Sequence, residues 1–268
     1  MARLPEAGFT AVGVDLPEVD IADAAQMTAW DWSAHDIVVN AAGWTDVDAA
    51  QTDEGRRMAW RANAVGPANL ARQATRHGLV LVHISSEYVF DGTIDVHTED
   101  EPPSPLGVYG QSKAGGDAAI EAVPRHYLVR TSWVIGEGRN FARTMTALAE
   151  RGALPKVVSD QTGRLTFTTD LAAGIIHLLS TGAEYGVYNL SGEGPVVSWS
   201  DVAKCVYATR GRDADDVIPV TTEEYHSGQE GIAPRPASSV LDLSKIEGTG
   251  FTPADSMERL VAYVRGLT

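Results

Sequence analysis

Tyr109 and Lys113 stand four residues apart in VYGQSK (108–113), inside a stretch that reads as a helix over 108–122. At that spacing the two side chains share one helical face and can converge. An ammonium beside a phenol favours the phenolate and lowers the phenol from its ordinary value of about 10. Such a tyrosine can exchange a proton with a carbonyl oxygen near neutral pH. The pair alone is weak, because a tyrosine packed on a lysine stem has the same spacing. Ser85 and Ser86 strengthen it, since they end an apolar run beginning at Val80. Open α/β sheets place reactive groups at the carboxyl ends of such strands. A hydroxyl there can donate to the same carbonyl oxygen, or it can merely satisfy strand-end backbone groups.

Asn40-Ala41-Ala42-Gly43 follows a second apolar run, and Thr45 adds a hydroxyl just beyond it. Small residues let a backbone approach a ligand closely; a tight strand-to-helix turn would use the same residues. The seven histidines are scattered and none lies at i, i+4 from another histidine or from the cysteine, which argues against a zinc site. GEGRN (136–140) is glycine-rich but lacks a P-loop lysine.

The elements that would position these residues alternate in type. FTAVGVD (9–15), DIVVN (36–40), VLVHIS (80–85) and YLVRTS (127–132) read as strands. Residues 53–78 carry helical spacing, with Ala62, Val65, Leu70 and Ala74 facing inward and Gly78 as the stop. Strands separated by helices predict a doubly wound parallel α/β sheet. Beyond residue 135 the texture changes to helices over NFARTMTALAERG and TTDLAAGIIHLLSTG, with Ser198 or Ser200 capping a third. A final helix over 254–266 begins at Asp255-Ser256. The expected organisation is a dinucleotide-binding domain over 1–135 and mainly a smaller substrate lobe over 136–268, the sheet taking in some later segments.

Composition narrows the partners. The chain has 268 residues, 44% of them hydrophobic, which suffices for one large domain or a domain with a companion. A formal charge of −15 argues against nucleic acid and anionic membranes. A single cysteine, Cys205, and the lack of any long apolar run point to a cytoplasmic protein with a small-molecule partner.

Segments VVNAAGWTDVDAAQ (38–51), NAVGPANLA (63–71), HISSEYVFDG (83–92), VYGQSKAGGD (108–117), RTSWVIGEGRNF (130–141), DQTGRLT (160–166) and RPASSVLD (235–242) occur in this order. With them the chain resembles the dTDP-4-dehydrorhamnose reductase family of extended short-chain dehydrogenases/reductases. The resemblance implies a Rossmann-like fold and NADPH- or NADH-dependent reduction of the C4 keto group of a dTDP-4-keto-6-deoxyhexose. It implies Ser86, Tyr109 and Lys113 as the catalytic set, with Tyr109 the proton donor. Asp15, Asp20, Ile21, Asn40, Ala41, Ala42, Gly43 and Thr45 would meet the cofactor, together with Tyr109 and Lys113. Val47, Glu87, Tyr88 and Trp133 would line the sugar pocket, and Arg235 would grip the diphosphate. Glu87 stands where the family usually has Asp, Ser238 where it has Asn, and Leu165 where it has Pro. Some members hold Mg²⁺ through surface glutamates at a homodimer contact, and no glutamate in this sequence identifies such a site. A regulatory subunit of the same fold and a nucleotide-sugar epimerase or dehydratase are the competing readings.

The opening, MARLPEAGFTAVGVD, reads as the end of a helix, a glycine stop and a strand ending at Asp15. The expectation is therefore a sheet lacking its first strand and the glycine loop that cradles a pyrophosphate. Three explanations fit: a misassigned start, the reductase half of a fusion with a 3,5-epimerase, or a chain no longer competent alone.

Overall fold

Short strands that are apolar on both faces need cover on both sides, and here helices supply it. The computed structural model describes residues 4–267. Its main sheet runs β1 (Ile37–Asn40), β2 (Val80–Ser86), β3 (His126–Thr131) and then the strand Gly186–Asn189, all parallel. Register places Asn40 beside His83 and Ser86 beside Thr131. Alternation along β2 and β3 then divides the core. Leu81 and Leu128 pack with Leu70 and Ala74 of the helix Gly66–His77 and with Ile120 of the helix Val108–Glu121. Val80, Val82, Tyr127 and Val129 turn the other way, onto Leu171, Ile175 and Leu178 of the helix Thr168–Thr181.

A further core lies beyond β3. The helices Phe141–Glu150, Trp199–Thr209 and Ser256–Arg265 enclose it, with Ala142, Val202, Val206, Leu260 and Val264 inside. Ser198 caps the second of these helices through a reciprocal bond pattern with Asp201, and Asp255 caps the third. Two-stranded pieces tie this lobe together, such as Val134–Ile135 beside Thr166–Phe167. The chain crosses between the lobes more than once, since the helix 168–181 and the strand 186–189 both serve the main sheet.

Two expectations are corrected. Residues 9–15 form no strand, because no ladder hydrogen bonds join them to β1; Val12 and Val14 are exposed. Gly8 is still a stop, at φ 83°, but it closes a short 3₁₀ turn over Pro5–Ala7. The helical stretch expected over 53–78 is there and stops at Gly78, at φ 68°, but a π-helical turn over Arg61–Val65 divides it into Asp53–Trp60 and Gly66–His77. A π turn takes more residues per revolution, so the inward face slips. Asn63 turns inward, while Val65, expected inside, is exposed. Among the described residues no helix is long and apolar enough to cross a membrane, and no cluster of His, Cys, Asp and Glu suits a metal ion.

Candidate active site

The carboxyl end of β2 meets the first turn of the helix Val108–Glu121, and three elements of chemistry converge there. Ser86 donates its hydroxyl proton to Glu87 Oε2 at 2.7 Å and accepts from the Tyr88 N–H at 3.2 Å. Tyr109 sits edge-on to Tyr88, with ring centroids 5.3 Å apart. Lys113, one helical turn further, is 5% exposed and donates to the Ile84 carbonyl at 2.7 Å. The helix packs this tightly on the turn after β2 and on the π turn Arg61–Val65 because two positions lack side chains. A Cβ at Gly110 would lie 2.1 Å from the Tyr88 carbonyl oxygen, and one at Gly116 the same distance from that of Asn63.

Burial dominates the electrostatics. Glu87 is only 3% exposed, and burial raises its carboxyl to about 7, although Ser86 and the backbone N–H groups of Glu87, Trp133 and Tyr88 all favour the charge. Burial lowers Lys113 to about 8, opposed by the Asp117 carboxylate. Asp117 is itself pushed up by burial, against Ser85, Arg130 and Lys113. Tyr109 is pushed up as well, by burial first and by the Glu87 carboxylate next. The expected lowering of Tyr109 by Lys113 is thus reversed: desolvation outweighs any help from an ammonium tied to the β2 backbone. A neutral phenol is the form that can give a proton away.

The loop after β1 flanks this cluster. Asn40 Oδ1 accepts from the Ala42 N–H at 3.1 Å, and its Nδ2 donates to His83 Nδ1 at 2.9 Å. His83 therefore carries its proton on Nε2, and burial together with Lys113 holds it well below 6.5, so it stays neutral. Ala41, Ala42, Gly43 and Thr45 are exposed, and Val47 is half-buried. Asn63 braces the loop: its Oδ1 accepts from the Trp44 N–H at 2.8 Å, and its Nδ2 donates to the Trp44 carbonyl and to Ser112 Oγ. Asn63 is a site residue that sequence reading missed, since only the π turn aims it inward.

Other expected residues sit differently. Trp133 is 9% exposed and stacks on Trp199 at 3.8 Å, in the core of the second lobe. It reaches the site through its backbone: at φ 46° its N–H serves the Glu87 carboxylate. Arg235 does make a bidentate contact, but with a carboxylate of this chain, Nη1 to Asp48 Oδ1 at 3.0 Å and Nη2 to Oδ2 at 2.8 Å. Asp20 pairs with Arg61 at 2.5 Å and accepts from the Ala22 N–H, while Ile21 packs toward Gly66. Asp15 ends no strand, and its carboxylate accepts from the Leu16 N–H. Ser86, Tyr109 and Lys113 are brought together at the end of β2, whereas Asp15, Asp20 and Ile21 are not gathered into one cradle. One of the three Lys113 donors serves Ile84, and the two others fit the hydroxyls of a ribose.

A parallel Rossmann-like sheet that gathers a serine, a tyrosine and a lysine at the end of an inner strand defines a dehydrogenase/reductase of the short-chain class. The chain matches the RmlD substrate binding domain family over residues 1–267, and it belongs to that family. It is 36% identical over 267 residues to the spore coat polysaccharide biosynthesis protein SpsK of Bacillus subtilis, covering 98% of this chain and 91% of that one. It is 34% identical to the dTDP-4-dehydrorhamnose reductase of Aggregatibacter actinomycetemcomitans, covering 95% and 90%. Among solved structures, the dTDP-4-dehydrorhamnose reductase of Bacillus anthracis in complex with NADP superposes with a TM-score of 0.86 at 30% identity, covering 98% and 92%.

Proposed function

We propose that this chain reduces the C4 keto group of a dTDP-4-keto-6-deoxyhexose, converting dTDP-4-dehydrorhamnose to dTDP-L-rhamnose with NADPH or NADH. The observation that carries the reading is the convergence of Ser86, Tyr109 and Lys113 at the end of β2 in a member of this family. The nicotinamide cofactor, when bound, supplies the hydride. Tyr109 holds the proton destined for the C4 oxygen, and burial keeps that proton in place at neutral pH. Lys113 stays an ammonium below about pH 8 and offers its two remaining donors to ribose hydroxyls. Ser86 orients the carbonyl. Ala41, Ala42, Gly43 and Thr45 line the approach of the dinucleotide, and Val47 and Tyr88 flank the sugar. Arg235 meets the diphosphate only by exchanging its Asp48 partner, so that pairing is a gate on substrate entry in this reading.

The dTDP-sugar is the small-molecule partner. The open edge of β1 supports association with a second copy, and the lone Cys205 fits a reducing cytoplasm. The test is oxidation of NADPH or NADH followed with and without the keto-sugar nucleotide. Turnover should require the sugar, and Tyr109→Phe should lower it by about 10²–10⁴-fold, the usual weight of a general acid. Cofactor oxidation indifferent to the sugar, or a Tyr109→Phe chain as fast as the parent, would sink the proposal.

A further inference from the structure

Glu87 is deeply buried, shares a hydrogen bond with a proposed catalytic hydroxyl, and has so far been counted only as a sugar contact. A serine has one proton to give and two lone pairs to fill. Here the proton goes to Glu87 Oε2 at 2.7 Å, one lone pair takes the Tyr88 N–H at 3.2 Å, and the Tyr109 phenol faces the same hydroxyl. A serine so committed has nothing to donate to a substrate carbonyl. If the carboxyl is protonated instead, its O–H fills the second lone pair of Ser86, and the serine proton is released toward the substrate.

We propose that Glu87 is a positioning residue acting through Ser86: as a carboxylic acid it turns the serine proton toward the substrate carbonyl, and as a carboxylate it takes that proton away. This rests on the reductase reading above. The geometry is favourable for holding the acid form, since the side chain is out of water and no cation is bonded to it. Burial raises the carboxyl to about 7, within the working range of such a switch. The titratable groups facing it are Tyr88 on its own turn and Tyr109 on the 108–121 helix, both kept neutral by burial. Lys113 lies one helical turn beyond Tyr109 and is bonded to Ile84; Asp117 lies beyond Lys113. The Arg235–Asp48 pair lies behind Tyr88. From the second lobe the contact is the uncharged backbone N–H of Trp133.

The experiment is the pH profile of kcat/KM for the parent chain, Glu87→Gln and Ser86→Ala. The parent should fall by up to about tenfold per pH unit above the Glu87 ionisation near pH 7, toward the level of Ser86→Ala, before the separate loss from Lys113 above about 8. Glutamine donates permanently to Ser86, so Glu87→Gln should stay flat until the Lys113 limb. Ser86→Ala should be slower at every pH and should keep only a shallow remnant of the first limb, the direct effect of the Glu87 charge on the Tyr109 phenol, because the carboxylate then has no serine proton to withdraw. A first limb that survives in Glu87→Gln, or that keeps its full amplitude in Ser86→Ala, overturns the proposal. An independent reading needs no turnover: the ¹³C-carboxyl resonance that disappears in Glu87→Gln should titrate near 7 in the resting chain, and titration near the ordinary 4.5 overturns it equally. Failure of the reductase reading would look different, as a parent chain without sugar-dependent turnover at any pH.

Discussion

Glu87 keeps a proton up to about pH 7 because loss of water outweighs every hydrogen bond that favours its charge. In the unfolded chain the same carboxyl ionises near 4.5. Between those two values the folded state binds more protons than the unfolded state, so stability falls as pH rises, and above 7 the loss is constant. At about 1.4 kcal/mol per pKa unit, the full loss is on the order of 3 kcal/mol. Glu87→Gln cannot titrate, so denaturant unfolding should find its stability relative to the parent growing by roughly that amount between pH 4.5 and 7. A pH-independent difference between the two chains would refute this. The residue scale also marks what sequence could disclose. The placement of Ser86 at a strand end and of Tyr109 and Lys113 on one helical face was legible because each is a local feature, a strand terminus and a spacing of four. Arg235 was legible as a bidentate donor, but its partner was not, since Asp48 lies 187 positions away. Trp133 was read as an aromatic plane for a sugar; a positive φ and a stacked Trp199, neither visible in the letters, turn the indole inward.

At the scale of elements, the turn that follows β2 and the helix Val108–Glu121 hold the site by mutual approach, and a glycine sets the distance. Gly110 abuts the Tyr88 carbonyl, which is backbone and cannot move aside cheaply. A Cβ at Gly115, on the same helix, would lie 3.0 Å from Trp60 Cζ3, a side-chain contact with room to adjust. Gly110→Ala should therefore cost about 1–3 kcal/mol in stability, as overpacking does, and should displace Tyr109 enough to lower kcat. Gly115→Ala should cost less and leave kcat closer to the parent, because alanine also gains helix propensity over glycine. Equal losses from both, by thermal melting and by steady-state kinetics, would count against the glycine contact as the spacer. Period-based reading found β1, β2, β3 and this helix within a residue or two. It failed over 61–65 because a π turn obeys no period that the flanking helix announces, and so Asn63 went unnoticed. It failed over 9–15 because apolar alternation describes a strand's faces and says nothing about whether a ladder partner is present.

For the whole molecule, the sheet ends at β1 with an edge that no described strand covers. Such edges are templates for pairing with another chain unless charge or proline blunts them. Here neither does: β1 reads IVVN, and Val39 is 44% exposed on it. What opposes association is the net charge of −15, a repulsion that salt screens over about 10 Å at 0.1 M ionic strength. Mass measured by light scattering should therefore rise with protein concentration, and more steeply at high salt. Val39→Lys places a charge on the edge and should suppress that rise. Because it also changes the net charge by one, Val134→Lys is the control. Val134 is also 44% exposed and lies in a strand already paired with Thr166–Phe167, away from the β1 edge. The same charge placed there should leave association near the parent's level. If both lysines suppress it equally, net charge governs and the edge does not; if only Val39→Lys acts, the open edge of β1 is the surface through which this chain meets others.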